Sequence, residues 1–257
     1  MSRTSPSYGR RGRLNEATSG IRCTSPTYGK AKYGSYCEKA EGHVIVESDA
    51  ERVVTQLLSI DPRVRAFRPQ PFCVDLIDQR LLFTPEAMRE ARRKHSDAPG
   101  PRFYTADFSV DWQDGLHHAV EVKAERFEGD DAYRNKIERA RPVLAANSYP
   151  LRSIIIPANT AHPIRMNARL LKQATHHVRT WLTGDLVERV TRRCQDGPVA
   201  LGALCSDLAI SPAVIPVLLA GGVLAGDLAN HPLCGTFELS LAYGDLDHLC
   251  LLEGVEK

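Results

Sequence analysis

The sequence predicts an α/β domain, a mixed sheet flanked by helices, followed by a smaller helical domain that closes with two strands. Two observations predict it. Between residues 47 and 157 the apolar pattern runs helix, several strands, helix, strand, and no GxGxxG or phosphate-loop motif follows any strand, which argues against a doubly wound nucleotide fold. From about Thr183 the order becomes helix, helix, turn, helix and two strands, a winged-helix pattern. At 257 residues, 43% hydrophobic and 25% charged, the chain has the length and composition of a soluble protein with room for both.

Composition also excludes several classes. The longest weakly polar run, AVIPVLLAGGVLAG at 213–226, is too short and too broken by Pro and Gly to cross a bilayer, and no apolar signal-peptide core opens the chain. A cytoplasmic location is expected. Seven cysteines, at 23, 37, 73, 194, 205, 234 and 250, include no CxxC, so buried or free thiols are expected rather than a disulfide framework or a zinc site. The net charge is only +2, yet residues 1–40 hold eight Lys/Arg against two Glu, a local charge of +6. The same stretch contains the near-repeat TSPSYGR (4–10) and TSPTYGK (24–30) and almost no aliphatic periodicity. It reads as a flexible basic arm over 1–40, suited to phosphate and base contact, with a solvated tail as the alternative.

The domain expected over 41–165 begins with ESDAERVVTQLLSI, where Val53, Val54, Leu57, Leu58 and Ile60 recur at helical spacing behind a capping Ser48. Asp61-Pro62 stops this helix. VRAFRPQPFCVDLI is extended chain whose Pro69 and Pro71 assign it to a sheet edge or a bend. Thr84-Pro85 starts a short basic helix that HSDAPGP ends. DDAYRNKIERARPVLAAN is helical from about Asp131, and LRSIIIP is an apolar strand.

The last part, 166–257, opens with MNARLLKQATHHVRTWL as a connecting helix with Leu171, Ala174, Val178 and Trp181 on one face. LVERVTRRC and VALGALCSDL are expected as helices, Ser211-Pro212 caps AVIPVLLAGG, and VLAGDL and TFELSLA are the two strands. The third helix is a poor reader of DNA. Residues 211–222 contain no Arg, Lys, Asn or Gln, which favours packing or protein docking.

The stretch that carries chemistry is YTADFSVDWQDGLHHAVEVK, 104–123, two short strands around a turn. Alternation puts Phe108, Val110 and Trp112 on one face and Asp107, Ser109 and Asp111 on the other; Val120 and Val122 likewise oppose Glu121 and Lys123. With a two-residue Asp114-Gly115 loop, Asp107 would face Val122 and the carboxylates would point to different faces. With a three-residue Gln113-Asp114-Gly115 loop, Trp112 pairs with Leu116 and Asp107 sits directly across from Glu121. Carboxylates so opposed repel unless a cation lies between them, and magnesium suits hard oxygen ligands. Lys123 shares the face of Glu121, where an ammonium suits water activation and phosphate charge. A charged, solvent-facing hairpin remains the alternative, and His117 and His118 are expected as exposed histidines rather than ligands.

These residues resemble the PD-(D/E)xK nuclease superfamily of restriction-endonuclease-like folds, in Asp107 of TADF and in Glu121-Val122-Lys123. More narrowly, ESDAER (47–52), DPRVRAFRPQP (61–71), YTADFSV (104–110) and VEVK (120–123) together resemble the TnsA endonuclease subunit of heteromeric transposases, over about residues 44–160. The resemblance implies that Glu51, Asp107, Glu121 and Lys123 form the active site, and that the three carboxylates and the Val122 carbonyl hold magnesium, with manganese as a substitute. Glu51, not Glu47, occupies the acidic position of the family's SxxE segment. Gln70 matches a position near the site, with packing as its alternative. Ala106 stands where the superfamily's name has proline. The implied task is cutting the 5′ side of transposon ends in double-stranded DNA, beside a DDE-type transposase that joins the 3′ ends and an AAA+ ATPase regulator. A free-standing restriction or repair nuclease, and a non-catalytic adaptor on a nuclease scaffold, are the competing readings.

Overall fold

The structure, a computed structural model, describes residues 20–21, 32–127 and 129–256. They form two compact units: the described residues up to Arg52 with Val64–Ile154, and Val53–Arg63 with Ile155–Glu256. The sequence placed this division at 165. Within the second unit, Ile155 N–H donates to Val255 O at 2.8 Å.

In the first unit, residues 1–19 and 22–31 of the expected arm lie outside the described residues, but its last part is a strand. β1 (Tyr33–Cys37) pairs antiparallel with β2 (Gly42–Val46), in register from Tyr33↔Val46 to Cys37↔Gly42. Cys37, Val44 and Val46 are buried. In YGSYC the Gly, Ser and Tyr residues disguise a strand whose aliphatic contacts come from its partner. Gly20–Ile21 is anchored too: Ile21 N–H donates to Gln70 O at 2.9 Å and its side chain is buried beside Cys73, Leu82, Met88 and Ala91.

Helix α1 (Asp49–Ile60) starts where Ser48 Oγ accepts from Glu51 N–H at 3.1 Å, and ends before Asp61-Pro62. Then follow β3 (Val64–Pro69), β4 (Cys73–Asp75), β5 (Arg80–Leu82), α2 (Pro85–Lys94), β6 (Phe103–Thr105), β7 (Phe108–Trp112), β8 (His117–Ala124), α3 (Asp131–Ala146) and β9 (Leu151–Ile156). Among the described residues, β3–β7–β8–β9 form a mixed sheet and β5–β4–β6 a smaller one. Pro69 lies on the edge strand, as expected, where a missing N–H breaks no ladder.

Caps fix both exposed helices: Thr84 Oγ1 accepts from Ala87 N–H at 3.2 Å, and Asp130 Oδ1 from Tyr133 N–H at 2.7 Å. Helix α3 packs Ile137, Ala140, Val143 and Leu144 onto Phe72, Val74, Tyr104 and Ala119. Full burial of a side chain such as Leu144 contributes about 1.5–3 kcal/mol. The chain passes between the two sheets twice, after Pro69 and after Thr105, and the passages lie side by side: Gln70 N–H donates to Asp107 O at 2.8 Å. Gln70 and Asp107, two of the residues named by the sequence, lie at this switch.

The second unit begins with Val53, Val54, Leu57 and Leu58 of α1, all 2% exposed or less. The expected connecting helix is broken into α4 (Pro163–Ala174), a 3₁₀ turn and α5 (Val178–Trp181). At the break Thr175 Oγ1 donates back to Lys172 O at 2.8 Å, and Trp181 is partly exposed rather than packed in line with buried Leu171 and Ala174. Helices α6 (Gly184–Cys194), α7 (Leu201–Leu208) and α8 (Ile215–Ala220) follow, with strands β10 (Val199–Ala200), β11 (Leu224–Ala225) and β12 (Glu238–Leu241) in the order β10–β12–β11.

β10 corrects an expected helix start: Val199 and Ala200 pair with Leu239 and Glu238, so the helix begins at Leu201. The loop before β12 is clamped by fully buried Asn167 of α4, whose Nδ2 donates to Leu228 O and His231 O, both at 2.8 Å, and whose Oδ1 accepts from Leu233 N–H at 3.0 Å. Helix α8 buries Ile215, Pro216, Val217, Leu218 and Leu219, which leaves it no polar face. Among the described residues no single helix is long and apolar enough to cross a membrane, and the described cysteines are all free thiols.

Candidate active site

The β7–β8 turn takes the three-residue form. Trp112 N–H donates to Leu116 O at 2.9 Å, Gly115 N–H to Trp112 O at 3.2 Å, and Gly115 adopts φ +86°, the left-handed position this turn and bulge require. The ladder then runs Asp111↔His117, Val110↔His118, Ser109↔Ala119 and Phe108↔Val120. The pairing ends there, and Asp107 and Glu121 are the next residues on the two strands. The ladder is distorted there: Asp107 N–H turns to Val120 O at 3.0 Å, while the amide of Val122 donates to Asp107 Oδ2 at 2.7 Å. An aspartate at this place therefore substitutes for a missing backbone acceptor as well as supplying charge.

Glu121 is 5% exposed, and both of its oxygens are engaged by tyrosines. Tyr104 O–H donates to Oε2 at 2.5 Å and Tyr133 O–H donates to Oε1. Burial pushes both phenols above their ordinary range, and the negative charges of Glu121 and Asp107 push each further. The charges of both carboxylates thus reach the same pair of hydroxyls.

Glu51 sits in the first turn of α1 and is 9% exposed. Its carboxylate accepts from Ser48 Oγ at 2.7 Å and from Glu47 N–H at 3.1 Å, a variant of the capping box written as Ser-x-x-Glu. Burial raises its pKa; the Ser48 and Glu47 hydrogen bonds oppose the rise, and the charges of Glu47 and Glu121 add to it. Of the other two carboxylates, Glu121 is the one whose charge acts on Glu51. Gln70 flanks Asp107 on the strand side opposite Glu121, has φ +41°, and is 6% exposed with a buried Oε1 that has no hydrogen-bond donor. Such an orphaned acceptor is costly. Glu51, Asp107 and Glu121 are hard-oxygen groups of the kind a divalent cation takes, but among the described residues they are not drawn together as closely as Asp75, Asp78 and His95.

Lys123 is half-buried, with Nζ 5.2 Å from the centroid of the Tyr133 ring, so one tyrosine meets both this lysine and Glu121. Val122 contributes its amide to Asp107, while a role for its carbonyl remains what the resemblance implies. Sequence reasoning missed Tyr104, Tyr133 and Lys136, whose Nζ lies 6.0 and 5.7 Å from the two tyrosine rings. The histidines differ from expectation. His118 is 7% exposed, edge-on to Trp112 at 6.0 Å, and burial lowers its pKa; His117 is partly exposed and contacts Asp111 Oδ1 through Nδ1 at 2.7 Å. Neither joins the carboxylates.

A second cluster, Asp75, Asp78 and His95, was also missed, and its side-chain spacing is short enough to hold a metal. Its charges are already balanced. His95 Nε2 lies 3.2 Å from Asp75 and 3.4 Å from Asp78, while Lys94 and Arg80 approach Asp78 Oδ2 at 2.6 and 3.6 Å. Asp75 Oδ1 accepts from the amides of Ile77 and Asp78. These contacts pin the β4–β5 turn to the end of α2, a structural task that needs no cation.

No protein family's sequence profile matches the chain, and no curated protein matches it in sequence.

Because the folded state favours protonated Glu51, the stability from this shift is full at low pH and is lost as pH rises through the folded pKa. Glu51→Gln keeps an oxygen acceptor for Ser48 and removes the charge. Its melting temperature is expected to exceed that of wild type near pH 7.5, with the gap closing by about pH 4, the ordinary Glu range. Thermal unfolding across that range checks this; a variant less stable at every pH would contradict it.

Proposed function

We propose that this chain is a magnesium-dependent DNA endonuclease of the PD-(D/E)xK type, acting as a TnsA-like subunit that cuts the 5′ side of transposon ends. One observation carries the reading: Asp107 and Glu121 flank the last pair of β7 and β8, both act on the same two tyrosines, and Lys123 follows Glu121 by two residues on the same strand. Neighbouring carboxylates, one of them buried, are unfavourable for stability alone and are expected where a cation is bound.

Asp107, Glu121 and Glu51 would supply oxygens to the ion, and the Val122 carbonyl would add a fourth by resemblance. Magnesium, when bound, supplies positive charge to the scissile phosphate and a water of lowered pKa; manganese serves the same role. The Lys123 ammonium stands by the phosphate, holding or passing a proton at Nζ. The short stretch Glu121-Val122-Lys123 keeps ligand and proton carrier in fixed relation, since β8 is rigid and paired.

End recognition falls to partners in this reading. The third helix of the C-terminal unit buries its apolar residues and presents no base-reading side chain, so sequence choice is assigned to the DDE-type transposase and the AAA+ regulator. The basic arm adds non-specific affinity for phosphates, and Gly20–Ile21 anchors it beside Gln70. A free-standing restriction or repair nuclease would instead cut a specific site unaided.

Nicking of transposon-end DNA in Mg²⁺, with and without the transposase, tests the proposal. Asp107→Ala and Lys123→Ala are each expected to lower the single-turnover rate by about 10²–10⁴-fold; equal rates for wild type and both variants would remove the site. Deleting residues 1–19, which takes away four Arg and one Glu but spares the anchor, should flatten the slope of log K against log salt by about 2–3. An unchanged slope rules out the arm's electrostatic role.

A further inference from the structure

Both oxygens of Glu121 are taken by hydroxyls, but the two donors are placed differently. Tyr104, on β6, is 2% exposed and packed in the core with Phe72, Ala119 and Leu144. Its hydroxyl has no route away from Oε2. Tyr133, in the first turn of α3, is only half-buried and borders a cavity of about 630 Å³ that Pro101, Phe127, Gly129 and Lys136 also line. Its ring rests edge-on to Phe127 at 5.6 Å and against Gly129, where a Cβ would overlap it.

We propose that Tyr133 is a displaceable plug on the metal-facing oxygen of Glu121, while Tyr104 is the fixed donor that orients the carboxylate. The proposal rests on the metal-dependent reading above. A hydroxyl donor and a divalent cation compete for the same lone pairs of Oε1, and a ring beside an open cavity is the partner that yields. Both tyrosines are positioning residues, acting on the ion through Glu121. They shift metal affinity in opposite directions: the Tyr133 hydroxyl weakens binding by competing, and the Tyr104 hydroxyl strengthens it by holding the ligand in place.

Binding of Mn²⁺ to the full-length protein, followed by titration calorimetry and by the electron paramagnetic resonance signal of free Mn²⁺, reads this without any turnover. Tyr133→Phe is expected to bind roughly threefold to tenfold tighter than wild type, and Tyr104→Phe about tenfold weaker. Phe127→Ala, which removes the edge-on contact that seats the ring and leaves the hydroxyl intact, should move affinity the same way as Tyr133→Phe and serves if that variant fails to fold. Melting curves establish which variants are native. Binding by native Tyr133→Phe that is equal to or weaker than wild type overturns the inference and leaves the nuclease reading standing. No saturable binding by wild type and Tyr133→Phe alike, or binding that Asp107→Ala leaves unchanged, overturns the metal-dependent reading and the inference with it.

Discussion

Two carboxylates at the adjoining ends of an antiparallel strand pair, both acting on the same two tyrosines, are the constraint on which the rest of this site depends. Unit charges about 5 Å apart at an effective dielectric of about 20 repel by roughly 3 kcal/mol, a large share of a domain's net stability. The surroundings of Asp107 and Glu121 are arranged to hold that repulsion. The Val122 amide bonds one carboxylate and two tyrosine hydroxyls bond the other. The register that forces the encounter is set far from it, by a three-residue turn whose Gly115 takes a left-handed conformation. A slip of one residue would send one carboxylate to the other side of the sheet.

The place of the site in the fold follows from the same geometry. Chain segments pass between the larger and smaller sheets at Gln70–Phe72 and at Ala106–Asp107, and at such a crossing neither segment completes a regular ladder. Backbone groups left over are taken up by the side chain of Asp107, and Gln70 is turned into a positive-φ conformation with its amide oxygen unsatisfied. Local departures from the best-packed arrangement of this kind gather where binding or catalysis is done. The balanced Asp75–Asp78–His95 cluster is the opposite case, since its lysine and arginine partners leave no charge to neutralise.

Much of this was legible in the sequence because it is local. Gln113-Asp114-Gly115 encodes its turn, Ser48 its helix cap, and Thr84-Pro85 its helix start, each within a few residues. What stayed hidden is what tertiary packing decides. Tyr133 reaches Glu121 only because α3 folds back over the sheet, and Tyr104 only because β6 belongs to a different sheet from β7. Neither tyrosine carries a spacing that marks it. His118 looked exposed because a turn was near, yet it faces Trp112 from the strand beyond. The strand in YGSYC has too little aliphatic character to show alternation, and α4 breaks at Thr175 through a hydrogen bond that periodicity does not register.

The most direct measurement is the anomalous scattering of crystals of the full chain grown with Mn²⁺. The expected result is a peak between the side chains of Asp107 and Glu121, within coordination distance of both and of Glu51, with the Tyr133 hydroxyl moved off Oε1. A structure in which manganese occupies only the Asp75–Asp78–His95 cluster, or binds nowhere while Asp107 and Glu121 keep their tyrosine and amide partners, would contradict the account.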